Sequence, residues 1–559
     1  PDVHRCARRH ADRHRPALRH DRRRAAPVPG CHAPDGGELT AAQTPIPQYT
    51  LPPVVKSPEP TFGGELTFAI PNKEGTTYNP LKVKNYALYN FFSLIYEQPI
   101  RIGNDGIPQP ELVETWSVDA TGTVWSFTLR KGVKWQQDKG EFTAADLLYT
   151  INLLRTYTTA ESSYAKYNSL IVDCTAVDNY TLVLTMSEPG NAALYFMTFP
   201  VLCQAYCQSG NIDTDVPLGT GPYYVSEYNM PEGMTLEPNS AWWKQQPYIR
   251  KLNVVGLPDH DAEMSSFDQN LLDIVTTSEL TVDTYQKFEE VEYVDYQTQY
   301  YDCLVPNIDG LFGDVNLRQA LAYALDKRDI IAKALLGHAV AVDYPVPPDS
   351  FLSGGSTNIY EYNQQKALEA LELSGWKDRD NNGIVEQVNG DQITELKFQI
   401  LVPNDTDEPY RLDVADNIAA QLKTCGMDAT VTLLDPDVYK QALDTREFQL
   451  ALCSFYLDVN PDITPLVGTG GRLNYGGFSD TEMDMLLEAC KAATDTEPMK
   501  DGYLALEERF LATMPHIGLY FRTNSLLYKA DINIASGMRD RNLFWTIPSW
   551  YLYTTEDVS

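Results

Sequence analysis

Alternating apolar and polar positions open the folded part of the chain. Residues 63–70 read GGELTFAI, and this alternation is typical of a strand that buries one face. Between residues 110 and 150 the sequence predicts a helix over ELVETW, a turn at DATG and a strand over VWSFTLR. A second helix is predicted to begin near Thr143, with Asp146 in its first turn. Helix and strand signals are mixed from the start, which predicts an α/β fold.

Helical spacing of apolar residues marks several stretches of the second half. Within residues 313–337 the apolar positions recur at intervals of three and four: Leu317, Ala320, Leu321, Ala324 and Leu325. Two consecutive helices or one broken helix fit this stretch. Residues 362–375 repeat the pattern, and 394–402 and 428–434 are predicted strands on either side of a helix near 410–424. The second half is therefore also predicted to be α/β.

Composition and charge narrow the classes of function. A chain of 559 residues with 43% hydrophobic and 11% aromatic residues is expected to fold into two or three domains. The formal net charge of -32 argues against nucleic acid and anionic lipid headgroups as partners. The sequence has no apolar run of about 18 residues, so no helix is predicted to cross a bilayer.

Five short stretches together resemble one family of binding proteins. In chain order they are WSFTLRKGVKW (125–135) with FTAAD (142–146), GTGPY (219–223), VNLRQALAYALDK (315–327), GGFSD (476–480) and PHIGLY (515–520). Each stretch alone fits an ordinary helix or turn. Their order and spacing resemble the family 5 bacterial extracellular solute-binding proteins over residues 62–553. One departure is Asn316, which stands where the family commonly has a basic residue.

The resemblance implies a two-lobed periplasmic-binding-protein-like fold of type II, with the ligand cleft between the lobes. Lobe 1 is expected over residues 62–305 and 517–559, with the extra subdomain of the large class at about 100–215. Lobe 2 is expected over residues 306–516. The implied function is the substrate-binding component of an ABC transporter, a monomer that captures peptides and delivers them to the permease subunits. An oligosaccharide, a nickel chelate or another small solute as ligand, or a sensor role, are the alternatives.

The segment FYLDVNPD (455–462) resembles the family's motif of an aromatic residue, two further residues and Asp. The resemblance implies that Asp458 faces the cleft and binds the α-ammonium of a peptide, an attraction that strengthens where water is excluded. Phe455, Tyr456 and Tyr223 are the aromatic candidates for the cleft, and Asn474 completes the predicted ligand-binding set. For Asp458 the alternative is an Asx turn ahead of a proline.

The first 30 residues differ from the rest of the chain. They are rich in Arg and His where a secretory signal needs apolar residues, so we interpret them as an aberrant or mistranslated, disordered segment. VPGC (28–31) resembles a bacterial lipobox and implies lipid attachment at Cys31, whereas a chance Gly-Cys pair in a basic arm is the alternative. Residues 31–61 are Pro-rich and are predicted to form an extended tether. The expected location is the outer face of the membrane or the periplasm.

Signatures of catalysis and of cofactor binding are missing from the sequence. It contains no HExxH, GxSxG, Walker A or GxGxxG motif, so we expect a binding protein without a cofactor, and a secreted hydrolase is the alternative. Beyond residue 32 the histidines are His260, His338 and His516, and they are not spaced for a shared metal ion. We therefore predict no metal site from histidine ligands.

One loop resembles the first half of a calcium site. Asp378, Asp380 and Asn382 alternate ahead of Gly383, and alternate oxygens before a glycine can surround a hard cation. Position twelve of such a loop is Asn389 here instead of Glu. A solvated turn of Asp and Asn residues is the other interpretation, and the predicted sites include no metal.

Overall fold

The structure, a computed structural model, describes residues 59–553 except 74, 75, 84, 355–359 and 407, with residues 286 and 287 described by their backbone alone. The segment 1–30, nearly all of the predicted tether and Cys31 lie outside the described residues. Within the described part, no helix is both long enough and apolar enough to cross a membrane.

We divide the described residues into two lobes at the point where the pairing between the long strands Val291–Pro306 and Ile517–Lys529 is interrupted. Lobe 1 comprises residues 59–297 and 523–553, and lobe 2 comprises residues 301–521. The hinge segment between them consists of residues 298–300 and Arg522.

The first part of the chain contains most of lobe 1. Its helices and strands are β1 (Glu65–Pro71), α1 (Tyr86–Phe92), β2 (Ile100–Ile102), β3 (Pro108–Pro110), β4 (Val113–Val118), β5 (Val124–Leu129), α2 (Ala144–Leu154), β6 (Ile171–Asp178), β7 (Thr181–Met186), α3 (Ala192–Phe196), α4 (Gln204–Gln208), β8 (Tyr223–Asn229), β9 (Gly233–Pro238), β10 (Lys251–Leu257), α5 (His260–Asp268), β11 (Ile274–Thr277) and β12 (Val291–Pro306).

The second part forms lobe 2 and then returns to lobe 1. Its elements are α6 (Val315–Ala324), α7 (Lys327–Ala334), β13 (Ala339–Ala341), α8 (Gln364–Leu373), β14 (Glu386–Asn389), β15 (Gln392–Glu395), β16 (Lys397–Pro403), α9 (Tyr410–Thr424), β17 (Asp428–Leu434), α10 (Pro436–Thr445), β18 (Leu450–Tyr456), α11 (Thr464–Val467), α12 (Thr481–Ala492), α13 (Thr496–Thr513), β19 (Ile517–Lys529), β20 (Ile532–Asn533) and β21 (Tyr551–Leu552).

Two four-stranded sheets lie in lobe 1. The first has the order β1-β10-β9-β8, with β1 and β10 parallel and the other neighbours antiparallel. The second has the order β4-β5-β7-β6 and is antiparallel throughout. This second sheet lies within the region where the sequence predicts an extra subdomain.

The prediction of a helix over ELVETW is wrong. Residues 113–118 form β4, which pairs with β5 from Val113 opposite Leu129 to Val118 opposite Trp125. Trp125 and Phe127 of β5 are buried in the core. A short segment has little intrinsic helix stability, so pairing with a neighbour that is already anchored in the core decides its conformation.

Helix starts are better predicted, because capping is local. Thr143 and Asp146 form a reciprocal capping box at the start of α2. Residues 313–337 form the two consecutive helices α6 and α7, each with an aspartate at its N-cap, Asp314 and Asp326. The second cap separates the two helices.

A large mixed sheet joins the lobes. Its order is β11-β19-β12-β18-β16-β17, and β13 also pairs with β19. The 16-residue β12 and the 13-residue β19 run antiparallel to each other. In lobe 1 they are flanked by β11, and in lobe 2 by β18 with β16 and β17 beyond it. Both chain crossings between the lobes therefore lie in one pair of neighbouring strands.

The ladder between these two strands is interrupted at the hinge segment. Gln297 pairs with Thr523 and Tyr301 pairs with Phe521, so residues 298–300 of β12 lie opposite the single residue Arg522. Such a bulge bends a strand and leaves backbone groups free for other partners. The hydroxyl of Thr298 donates to the carbonyl of Arg522 over 2.9 Å.

Candidate ligand-binding cleft

A cleft lies beside the hinge segment, where loops of both lobes meet. Lobe 1 contributes Gln98, residues 102–106 and residues 539–542, and lobe 2 contributes residues 345–347, 350–352 and 457–463. The cavity enclosed there is about 90 Å³, which is room for several water molecules. Water therefore has room between the two lobes in this conformation.

Asp458 reaches the cleft because β18 ends two residues before it. Tyr456 is the last residue of β18 and pairs with Tyr300, and the amide of Leu457 donates to the carbonyl of Gln299 at the hinge. Asp458 follows as the chain leaves the sheet, and its Oδ1 accepts a hydrogen bond of 3.4 Å from the amide of Asn460. The carboxylate thus lines the cavity and also caps an Asx turn, so the two interpretations of its sequence are compatible.

An ammonium group from lobe 1 is already bound to Asp458. Lys166, on the 3₁₀ helix Ser163–Leu170, forms an ion pair with the Asp458 carboxylate across the cleft. Burial and the neighbouring charges act on both groups. Burial raises the pKa of Asp458, but Arg541 and Lys166 outweigh it and bring this pKa below its usual range. Burial lowers the pKa of Lys166, although Asp458 opposes that shift. Each side chain is 36% exposed, so water still reaches the pair.

Arg541 stands behind Asp458 among tyrosine rings. Its Nε donates to the hydroxyl of Tyr456 over 3.0 Å, and its guanidinium lies 5.9 Å from the ring centroids of Tyr89 and Tyr456. Burial raises the pKa of the Tyr456 hydroxyl to about 12, which keeps this hydroxyl neutral. Arg541 and the two tyrosines therefore combine one fixed positive charge with aromatic faces.

Asp540 connects the cleft to the hinge segment. Only 6% of the residue is exposed, and its Oδ2 accepts a hydrogen bond of 3.2 Å from the amide of Gln299. Its Oδ1 is buried and meets no hydrogen-bond donor among the described residues. Burial raises the pKa of Asp540 to about 6, although the neighbouring Arg541 and Arg539 favour the charged form. The pKa of this carboxyl group therefore lies well above the range usual for aspartate.

The lobes also touch at a second place on the cleft. Arg539 of lobe 1 forms an ion pair with Asp349 of lobe 2. Nearby, the amide of Phe351 in lobe 2 donates to the carbonyl of Asp105 in lobe 1 over 2.8 Å. With the Lys166 pair, these contacts place polar interactions between the lobes at two separate points of the cleft.

Tyr223 and Asn474, both predicted at the ligand site, lie in the interior of the protein instead. Tyr223 is fully buried, and its hydroxyl donates to the carbonyl of Ile249 over 3.0 Å. The side-chain amide of Asn474 donates to the carbonyls of Gly468 and Phe478 and accepts from the amide of Phe478. Their polar groups are satisfied within the fold, so the structure does not bring them to the cleft.

Phe455 and Tyr456 point to opposite faces of β18. Phe455 is buried, with its ring stacked 5.7 Å from His516 and 6.2 Å from Tyr475. Tyr456 packs against Tyr300 at 5.4 Å and holds Arg541. Of the predicted set, the structure therefore brings Asp458 and Tyr456 together with Arg541, and it places Phe455 in the core of lobe 2.

Sequence analysis missed Lys166, Asp540 and Arg541. Lys166 lies in a polar stretch without a motif, and it is 292 positions away from Asp458. Arg539, Asp540 and Arg541 form a charged triplet ahead of the aromatic segment LFW. Charged residues in an apolar neighbourhood often mark a buried functional group, and this was the one signal available.

Comparison with known proteins identifies the family. The family model described as "Bacterial extracellular solute-binding proteins, family 5 Middle" matches residues 108–476. The oligopeptide-binding protein AppA of Bacillus subtilis (strain 168) is 22% identical over 522 residues, which is 88% of this chain and 92% of AppA. The nickel-binding periplasmic protein of Escherichia coli (strain K12) is 26% identical over 385 residues, 66% of this chain and 70% of that protein.

Solved structures share the fold. The periplasmic murein tripeptide-binding protein MppA, in its unliganded open form, aligns with a TM-score of 0.75 at 18% identity, covering 89% of this chain and 98% of MppA. The likeness confirms the predicted two-lobed architecture of periplasmic binding proteins.

Proposed function

Because the chain belongs to the family 5 bacterial extracellular solute-binding proteins, we propose that it captures peptides outside the cell and delivers them to the permease of an ABC transporter. Members of this family bind solutes, which accords with the expectation of a binding protein. The observation that carries the proposal is the position of Asp458, a partly exposed carboxylate in the cleft between the lobes. Monomeric state and lipid attachment at Cys31 stay predictions.

The ion pair with Lys166 supports an ammonium as the group that Asp458 recognises. A lysine Nζ and the amino terminus of a peptide are both primary ammonium groups, and one of them already fits against this carboxylate. Arg541 holds the carboxylate ionised, which keeps it ready to bind a cation. A peptide is then expected to displace Lys166 and to place its first residue against Tyr456.

We expect the lobes to move apart when a ligand enters. Residues 457–463 of lobe 2 and residues 539–542 of lobe 1 line the same cleft, and opening at the hinge segment would separate them. A ligand that contacts both lobes favours the closed state by its differential affinity for that state. Backbone hydrogen bonds along the ligand would then add affinity that tolerates different side chains.

Calorimetric titration of the full chain tests this proposal. We expect alanine peptides of two to six residues to bind with a free amino terminus and to fail after N-acetylation. Asp458→Asn should weaken binding by about 10- to 100-fold, since a charge-assisted hydrogen bond is lost. Asp444→Asn, on the exposed face of α10, is the matched control and should bind normally. Binding restricted to sugars or nickel chelates would overturn the peptide assignment.

A further inference from the structure

Three carboxylates converge in lobe 2, on the loop between α8 and β14. One oxygen each from Asp378, Asp380 and Glu386 lies within 4.8 Å of the others. Asp378 and Asp380 belong to the loop that resembles half of a calcium site, and Glu386 is the first residue of β14. None of these residues lines the ligand-binding cleft, so the cluster is a separate feature of the fold.

A tight turn brings Glu386 back beside the two aspartates. Asn381 and Gly383 adopt positive φ angles of 59° and 87°, which reverse the chain. Lys377 and Glu386 then pair by two backbone hydrogen bonds of 3.1 Å each. Glu386 therefore supplies the third carboxylate, three positions before the residue at which the sequence comparison looked for a glutamate.

Two oxygens of this cluster are buried without a donor. Glu386 is only 5% exposed, and its Oε1 accepts from the amide of Arg379 over 2.8 Å. Its Oε2 is buried and meets no hydrogen-bond donor among the described residues, and the same holds for Oδ1 of Asp378. Burying a carboxylate oxygen without a partner is costly, so these two atoms point to a cation as their partner.

Charge in the loop also favours a cation. Among the described residues, the one basic side chain paired with these three carboxylates is Arg379, which donates to the carbonyls of Lys377 and Glu386 and lies 3.9 Å from Oε1 of Glu386, whereas the neighbouring Lys377 pairs with Glu372. One positive charge against three carboxylates leaves two negative charges uncompensated. A divalent ion would balance them.

We propose that this loop binds a calcium ion through the carboxylates of Asp378, Asp380 and Glu386. The donors are oxygens alone, which suits a hard cation and not zinc, copper or nickel. Calcium accepts six to eight oxygens in irregular arrangements, whereas magnesium demands a near-octahedral set and keeps its waters. The bound ion ties the end of α8 to the hairpin of β14 and β15, and so it stabilises lobe 2 whatever ligand the cleft takes.

Binding of the metal alone tests the site in the full-length protein. After treatment with EGTA and dialysis, calorimetric titration with CaCl₂ is expected to show one saturable site, with a dissociation constant of about 0.1–1 mM as in extracellular calcium modules. Millimolar CaCl₂ should raise the melting temperature more than equimolar MgCl₂. An absence of saturable binding, or equal shifts with both salts, would overturn the assignment.

Substitutions locate the ion. Glu386→Gln and Asp380→Asn are each expected to weaken calcium binding by on the order of tenfold or more and to remove the thermal shift, because each takes one charge from the ligand set. Asp391→Asn, at the exposed tip of the same hairpin, should respond to calcium like the parent. If Glu386→Gln fails to fold, calcium binding by Asp380→Asn, which lies on the exposed loop, is the deciding measurement. Parent-like calcium affinity in Asp380→Asn would refute the site.

Discussion

Lys166 of lobe 1 and Asp458 of lobe 2 form an ion pair across the cleft. The same carboxylate is the group that we propose for the amino terminus of the ligand. An internal ammonium therefore occupies the position that the ligand's ammonium needs, and the two compete. Affinity for a peptide then depends on the strength of the internal pair as well as on the contacts of the peptide itself.

Replacing Lys166 by methionine should strengthen binding of peptides with a free amino terminus. A partly exposed ion pair is worth about 0.2–1 kcal/mol, so its removal is expected to raise affinity by up to about fivefold. Calorimetric titration of Lys166→Met with tri-alanine measures this change. Lys440→Met, which breaks an exposed pair with Asp444 on α10, is the control and should have no effect. Weaker binding in Lys166→Met would show that Lys166 contacts the ligand instead of competing with it.

Asp540 should make stability depend on pH. The folded protein holds the Asp540 proton up to about pH 6, whereas an unfolded chain releases it near pH 4. Between these values the folded state binds more protons, so the free energy of unfolding falls as pH rises, by on the order of 2–3 kcal/mol for this group. Asp540→Asn should therefore be more stable than the parent at pH 7 and equally stable near pH 4.

Urea unfolding of both proteins between pH 4 and pH 7 measures this difference. The asparagine keeps an oxygen that can accept from the amide of Gln299, so the contact with the hinge segment is retained. Asp531→Asn, at an exposed aspartate, controls for the loss of one surface charge. Parallel pH profiles of the parent and Asp540→Asn would contradict the prediction.

A buried charge cluster beside the hinge should be essential for stability. Asp302 of β12 is 1% exposed and lies 3.1 Å from Nε of Arg522 and 4.0 Å from Nη2 of Arg411. Within the described part of the chain, Asp302→Ala would leave these two guanidinium groups paired with one carboxylate, that of Glu408. We expect a loss of about 3–5 kcal/mol in the free energy of unfolding.

The matched control for that variant is Asp309→Ala. Asp309 also pairs with an arginine, Arg446, but its side chain is 69% exposed. Its removal should change the free energy of unfolding by no more than about 1 kcal/mol. Equal losses of unfolding free energy in both variants, measured by urea unfolding at pH 7, would mean that burial does not determine how much these ion pairs contribute to stability.

Local signals account for the elements that the sequence predicted well. The helix expected near 410–424 is α9, and the strand expected over 428–434 is β17, because periodicity over one element needs no distant partner. The strand predicted over 394–402 is divided in the structure between the end of β15 and β16. β4 was missed because its conformation comes from pairing with β5.

The sequence also held enough information to choose between Phe455 and Tyr456 as residues of the cleft. Side chains alternate along a strand, so Phe455 and Tyr456 cannot both face the ligand. Lys166 and Asp540 are different, since only the three-dimensional fold brings them to Asp458 and to the hinge segment. The third carboxylate of the acidic loop, Glu386, needed the turn at Gly383 to be known.

The interrupted pair of strands restricts how the two lobes move. Two neighbouring hydrogen-bonded strands resist sliding and twisting, yet they bend where residues 298–300 leave the ladder. We therefore expect bending at this segment to be the main relative motion of the lobes. The size of a captured molecule should then set the angle at which the lobes close, so that ligands of different size are expected to give conformations that differ mainly in this angle.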